Sequence, residues 1–174
     1  MDKIGLLFGP GGGNTEKVAK KIAKELGENN VEIIPVKSVD EKSIEKFDKI
    51  IFGVSTIGKH TWDADHVNND WDFFFPKLNK IDLSGKTIAI FGLGDHITYD
   101  LHFCDAIGLL GDKVIERGGR LIGFVSVDDY EFRESFAVRD GQFIGLPIDE
   151  DYESNLTDER IKKWINKIKQ ELGL

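Results

Sequence analysis

The segment IGLLFGPGGGNT, residues 4–15, joins an apolar run to the start of a stretch with helical periodicity. Large and β-branched apolar side chains over residues 4–8 predict a strand, and the spacing of apolar residues over 15–26 predicts a helix. Between them, Gly11, Gly12 and Gly13 lack a Cβ, so the backbone can turn tightly and bring its N–H groups close to an anion. The segment therefore predicts a loop that binds a phosphate group, and a glycine-rich connection without a chemical role is the alternative.

Two other phosphate-binding motifs do not fit this loop. A nucleoside triphosphate loop ends in Gly-Lys-Ser/Thr, whereas this one ends in Gly13, Asn14 and Thr15 and lacks the lysine. A dinucleotide-binding fingerprint has a third glycine where Asn14 stands, and an acidic residue where the second strand ends in Val36 and Lys37. A mononucleotide is the better interpretation of the ligand.

Composition limits the class of protein. The 174 residues, 40% of them hydrophobic, predict one globular domain over residues 1–174. No apolar run approaches the roughly 20 residues of a membrane-spanning helix, and residues 1–3 lead directly into the first strand, so we expect a cytoplasmic protein.

Cys104 is the only cysteine, is expected to be buried, and cannot form an internal disulfide, so a redox role needs a cofactor. The net charge of −8 argues against nucleic acid or membrane as a partner.

Strand-like and helix-like stretches alternate along the chain, which predicts an α/β protein with a parallel sheet. The predicted strands cover residues 4–8, 31–36, 49–54, 87–91 and 120–125. The predicted helices cover residues 15–26, 41–47, 71–78, 103–117 and a closing stretch from 157. In such a sheet the ligand lies at the carboxyl ends of the strands. The loops after strands one, three and four therefore form the expected binding edge, and their small and polar residues suit a flat ring with a phosphate tail.

Several short motifs are spread nearly from end to end of the chain. They are FGLGD at 91–95 with Tyr99, FCDA at 103–106, YEF at 130–132, FIGL at 143–146, LTDER at 156–160, WDFFFP at 71–76 and SGKT at 84–87. Together they resemble the motifs of long-chain flavodoxins. The resemblance implies a flavodoxin-like three-layer sandwich with a five-stranded parallel sheet in the order 2-1-3-4-5. It also implies that an insertion over about 128–142 splits the last strand, with pairing resumed over 143–147.

The resemblance implies FMN as the cofactor and assigns residues to it. The phosphate would bind at Pro10, Gly11, Gly12, Gly13, Asn14 and Thr15. The inner face of the flavin would be covered by Ser55, Thr56, Ile57 and Gly58. The outer face would be held by Gly92, Leu93, Gly94, Asp95 and Tyr99, with Tyr99 at the position where the family stacks an aromatic ring, and with His102 close by.

The implied function is that of a soluble, low-potential one-electron carrier, an electron-transfer protein with no catalytic residues of its own. Its implied partners are a flavodoxin or ferredoxin reductase-type donor and an oxidoreductase acceptor, both docking near the flavin edge of a monomer. Two alternatives stay open, an FMN-dependent oxidoreductase acting on a quinone or NAD(P)H and a flavin-free binding protein of the same fold. No metal site is expected, because the polar residues of 60–66 lack a zinc-type spacing.

The chain departs from the family pattern in the phosphate loop. Two positions that usually have hydroxyl side chains are Pro10 and Gly12 here, which leaves Thr15 as the clear hydroxyl donor. Because hydrogen bonds to a charged group contribute about 1.5–3 kcal/mol each, we predict FMN binding mainly through the backbone and with somewhat reduced affinity. At the inner stacking position the chain has Ile57, and Trp62 is an alternative cover for the flavin.

Charged residues near the predicted site allow two further hypotheses. His96 and His102 flank Tyr99 and would make the flavin potential depend on pH if either ring lies close to it. The acidic run over residues 149–151, with Glu153, predicts either a solvated face or a docking surface for a basic partner.

Overall fold

A parallel sheet forms the centre of the computed structural model, which describes residues 2–55 and 70–174. The strands in chain order are β1 (Ile4–Phe8), β2 (Val31–Pro35), β3 (Lys49–Val54), β4 (Thr87–Leu93), β5 (Arg120–Ile122), β6 (Val125–Ser126), β7 (Val138–Arg139), β8 (Gln142–Phe143) and β9 (Leu146–Ile148). The sheet has the order β2-β1-β3-β4-β5, and β9 also pairs with β4. Since β5 pairs with the start of β4 and β9 with its end, the predicted order and the split last strand are both confirmed.

Helices cover both faces of this sheet, which confirms the three-layer sandwich. They are α1 (Asn14–Leu26), α2 (Glu41–Glu45), α3 (Asp70–Phe74), α4 (Asp105–Glu116) and α5 (Thr157–Glu171). Alternate strand residues face opposite sides, so Leu6 and Ile51 pack with α1 and α5, while Leu7 and Phe52 pack with α3 and α4. Within residues 2–55 and 70–174, no helix has both the length and the apolar character needed to cross a membrane.

Both parts of the split last strand have other bounds than predicted. Pairing with β4 stops at Ile122, because Gly123 adopts a left-handed conformation with a φ of 80°. Val125 instead pairs antiparallel with Phe143 in a small sheet of β6, β8 and β7. Phe143 is thus not part of the resumed strand, which covers 146–148 and not 143–147.

Three predicted helices are shorter than expected. The helix predicted over 41–47 ends at Glu45. The helix predicted over 71–78 ends at Phe74 and continues as a 3₁₀ turn to Lys80, since Pro76 has no N–H for an α-helical bond. The helix predicted over 103–117 begins only at Asp105, because Cys104 has a left-handed φ of 53°.

Candidate functional site

Three loops leave the sheet at the same edge, which we call the ligand edge. In the strand register, Phe8 pairs with Gly53 and Val54 pairs with Gly92, so β1, β3 and β4 end side by side. The carbonyl of Gly53 accepts the N–H of Gly9 at 3.1 Å and the indole N–H of Trp71 at 2.9 Å. One buried oxygen therefore fixes the start of the phosphate loop relative to β3 and α3.

The phosphate loop, residues 10–15, presents backbone to solvent. Residues 11–14 are exposed, and a Cβ built on Gly12 or Gly13 would meet no atom within 4 Å. Gly13 is the N-cap of α1, and no side chain of the described residues caps this terminus. The first N–H groups of a helix have no intrahelical partner and carry partial positive charge. This loop fits a phosphate group, because it offers open space beside uncapped donors.

Two side chains near this loop are not placed as a simple phosphate site would require. Thr15, the predicted hydroxyl donor, is only 3% exposed, whereas its neighbours before it are exposed. The carboxylate of Glu16 accepts the N–H of Gly12 at 3.3 Å. An acidic group of the chain itself therefore occupies one of the backbone donors that an anionic ligand would use.

The outer loop, residues 92–99, is held as a tight turn by Asp95. Its Oδ1 accepts the N–H groups of Ile97 at 3.0 Å and Thr98 at 2.8 Å, and its carbonyl accepts the N–H of Tyr99 at 3.1 Å. Tyr99 is half-buried, while Ile97 remains 55% exposed. The turn thus places an aromatic ring and an exposed apolar side chain at the ligand edge.

His102 and Cys104 follow the outer loop at the start of α4. The His102 ring lies 3.0 Å from the Asp105 carboxylate, and its side chain is 48% exposed. Cys104 is 4% exposed, its thiol faces the carbonyl of Gly92, and burial raises the pKa of the thiol well above its ordinary value. The prediction of a buried cysteine is confirmed.

The insertion contacts the chain just beyond Tyr99, which sequence reasoning missed. The carbonyl of Asp100 accepts the N–H groups of Arg133 at 2.8 Å and Glu134 at 2.9 Å. The Arg133 guanidinium pairs with the Asp100 carboxylate at 2.5 Å, and this hydrogen bond lowers the pKa of Asp100. The N–H of Phe103 in turn donates to the carbonyl of Glu134 at 3.2 Å. The insertion therefore fixes the segment that follows the outer loop.

The acidic run after β9 is not the uniform solvated face that its composition predicts. Asp149 is fully buried and contacts His96, which lies in the outer loop. Burial opposes ionisation, but hydrogen bonds from His96 and from backbone N–H groups outweigh it and lower the pKa of Asp149. For Asp149, the predicted solvated or docking role is wrong, because both oxygens of its carboxylate accept internal hydrogen bonds.

Part of the predicted site cannot be compared with the structure. Thr56, Ile57 and Gly58 on the inner side, together with Trp62 and the polar residues of 60–66, lie outside the described residues. Ser55 is described and lies at the end of β3, next to the ligand edge. Their assignment to the flavin stays a prediction.

The topology and the loops define a class: a doubly wound α/β protein whose ligand edge combines an uncapped helix start with an aromatic loop. The flavodoxin family model matches residues 6–164. A flavodoxin of a Nostoc species is 41% identical over 172 residues, covering 99% of this chain and 98% of that protein. Flavodoxin 1 of Azotobacter vinelandii is 41% identical over 175 residues, covering 98% of each.

A solved structure agrees with these sequence comparisons. Fusobacterium nucleatum flavodoxin bound to flavin mononucleotide superposes with a TM-score of 0.85 at 33% identity, covering 98% of this chain and 99% of that one. The chain belongs to the flavodoxin family. Membership confirms the predicted family. It also confirms the prediction that this chain is an electron-transfer protein and not an enzyme with its own substrate.

Proposed function

We propose that this chain binds FMN at the ligand edge and carries single electrons at low potential between protein partners. The observation that supports this most directly is the phosphate loop, where uncapped N–H groups of α1 lie beside open space over Gly12 and Gly13. The related Fusobacterium protein was solved with flavin mononucleotide, and it matches this chain over nearly its full length. When bound, FMN supplies the one-electron chemistry, and the protein supplies position and electrostatics.

The residues at the ligand edge have separate roles in this proposal. Backbone donors of residues 10–15 bind the phosphate, and the Tyr99 ring packs against the outer face of the flavin and excludes water. The Asp95 turn orients that ring. Asp95 and the net charge of −8 disfavour added negative charge on a bound ligand, which lowers its potential.

Partners and location follow from the same proposal. A reductase-type donor and an oxidoreductase acceptor, both basic at their contact surface, would dock at the ligand edge of a monomer in the cytoplasm. The exposed Ile97 gives that surface an apolar side chain, and negative charge comes from Asp95 in the same turn and from Asp151, whose pKa burial and the Asp95 charge raise. Such charge speeds association with a basic partner at low salt.

The test is FMN binding followed by a potentiometric titration. We expect the full-length protein to quench FMN fluorescence on binding, and to take up electrons in two resolved one-electron steps. Tyr99→Ala should weaken FMN by about 5- to 150-fold, since stacking of a flat ring on an aromatic side chain contributes about 1–3 kcal/mol. Ile115→Ala is the matched control, because this exposed apolar residue lies near the end of α4. Absence of saturable binding by the unmodified protein would refute the proposal.

A further inference from the structure

His96 joins the middle of the outer loop to the segment that follows β9. Its ring Nδ1 lies 2.5 Å from Asp149 Oδ2, and its backbone N–H donates to the same oxygen at 3.0 Å. Two residues before His96, the N–H of Gly94 donates to the carbonyl of Ile148 at 3.0 Å, and Ile148 directly precedes Asp149. Two backbone N–H groups and one ring nitrogen of the loop therefore make hydrogen bonds to this segment.

Asp149 is suited to hold a positive charge. Its side chain has no exposed surface, and its second oxygen accepts the N–H groups of Asp151 and Tyr152, each at 2.9 Å. These bonds fix the carboxylate in one orientation and favour its ionised form. A buried carboxylate needs a partner charge, and His96 is the side chain that contacts it.

The groups facing His96 favour the imidazolium. Glu153 lies 3.7 Å from the ring nitrogen, and Asp95 is a further negative charge in the same loop. Among the described residues, Arg160 on α5 brings a positive charge to this cluster, and it pairs with Glu153 at 3.1 Å. The hydrogen bond that the His96 ring donates to Asp149 raises the pKa of His96 above its ordinary value, although burial opposes this.

Two aromatic rings also lie beside the His96 imidazole. Phe103 and Tyr152 lie with their ring centroids 6.5 and 6.2 Å from that of His96, both in edge-on geometry. The His96 side chain is 13% exposed. Aromatic rings thus lie beside the imidazole and the carboxylate lies at Nδ1, so little water can reach the ring to compensate its charge.

A metal ion is a poorer account of the same cluster. His96, Asp149 and Glu153 offer ligand atoms within 4.8 Å of one another. However, the 2.5 Å between Nδ1 and Oδ2 is a hydrogen-bond distance, and two ligands of one ion lie further apart. Glu153 is also already paired with Arg160. A charged hydrogen bond explains the geometry without an ion.

We propose that the His96 imidazolium, held by Asp149, positions the outer loop for the flavin, so that FMN binds less tightly once His96 loses its proton. The inference rests on the proposed binding of FMN. The neutral ring can still donate one hydrogen bond to Asp149, but a neutral donor contributes roughly half as much as a charged one. The loop then spends less time in the arrangement that binds the flavin, and the apparent affinity falls in proportion.

The sign of the pH effect follows from the raised pKa. A histidine whose pKa is higher in the folded protein stabilises the loop fully at pH below its unfolded value of about 6.5, and that contribution is lost as the pH rises through the folded value. FMN should therefore leave faster at high pH. By reciprocity, bound FMN should favour the protonated ring.

The experiment measures FMN release from the loaded full-length protein between pH 5.5 and 9.5, by the recovery of FMN fluorescence on dilution. We expect the release rate of the unmodified protein to rise about fivefold more over this range than that of His96→Gln. His102→Gln is the matched control, because among residues 2–55 and 70–174 it removes the other imidazole near this loop, and it should keep the pH-dependent component. Proton uptake by the FMN phosphate is common to all three proteins and cancels in the comparison.

The outcomes separate this inference from the proposed function. Superimposable pH profiles for the unmodified protein and His96→Gln would overturn the role of His96 while leaving FMN binding intact. A protein that takes up no FMN at any pH would overturn both. A second measurement needs no variant: the ¹⁵N shifts of the His96 ring in the loaded protein should report an imidazolium at pH 6.5, and a neutral ring there would overturn the inference.

Discussion

Replacing Gly13 with aspartate should stabilise the FMN-free protein and weaken FMN binding at the same time. Gly13 is the N-cap of α1, its φ of −138° suits any residue, and a Cβ there would meet no atom within 4 Å. An aspartate at this position can accept hydrogen bonds from the first N–H groups of the helix. These are the donors that we assign to the phosphate, so the side chain and the ligand would compete for them.

The two effects differ in size. An N-cap aspartate improves on glycine by a few tenths of a kcal/mol, and its charge at the helix start adds about 0.3–1 kcal/mol. Loss of one hydrogen bond to the anionic phosphate costs about 1.5–3 kcal/mol, or about 10- to 150-fold in affinity. Gly13→Asn has a side chain of the same shape without the charge, and should weaken FMN by about 2- to 13-fold.

Urea unfolding of the FMN-free protein measures the gain, and quenching of FMN fluorescence measures the loss. The order of affinities should be unmodified protein, then Gly13→Asn, then Gly13→Asp. If Gly13→Asp bound FMN within about twofold of the unmodified protein, the assignment of the phosphate to the start of α1 would be wrong. A stability gain without any affinity loss would point to the same conclusion.

Three further predictions concern single side chains. Glu16→Gln removes the carboxylate from the N–H of Gly12 and should tighten FMN about 2- to 5-fold in the same quenching titration; weaker binding would contradict this. Trp71→Phe deletes the buried bond to the Gly53 carbonyl and should cost about 1–3 kcal/mol in urea unfolding, with no change counting against its structural role. Gly53→Ala places a Cβ 2.2 Å from the Phe91 ring and should cost about 1–3 kcal/mol, and an unaltered unfolding midpoint would refute the packing argument.

The sheet order and the position of the ligand edge could be predicted because they depend on local patterns and on family motifs. Alternating strand and helix periods identified β1 to β5 of the main sheet, the family motifs indicated that the last strand resumes near β9, and the glycine loop identified the start of α1. The end of β5 could not be predicted. It depends on the left-handed turn at Gly123, whose carbonyl accepts the indole N–H of Trp164 at 2.8 Å from a helix about 40 residues later.

The candidate site was predicted less completely, because its supporting contacts join distant parts of the chain. His96 and Asp149 are 53 residues apart, and Asp100 and Arg133 are 33 apart. Neither separation corresponds to a helix turn or a strand pair. From composition alone, Asp149 could not be distinguished from the acidic residues beside it. Only the fold shows that it is the buried one.

The split of the last strand also affects how the molecule behaves at high concentration. On that side the sheet ends in two three-residue pieces, β5 and β9, and Pro147 in β9 has no N–H to offer. On the opposite side β2 ends at Pro35, and the ion pair of Lys46 with Glu32 places charge along it. Short, charged and proline-bearing edges are poor templates for strand addition by another chain. A cell could accumulate this protein to high concentration with little risk of edge-to-edge aggregation.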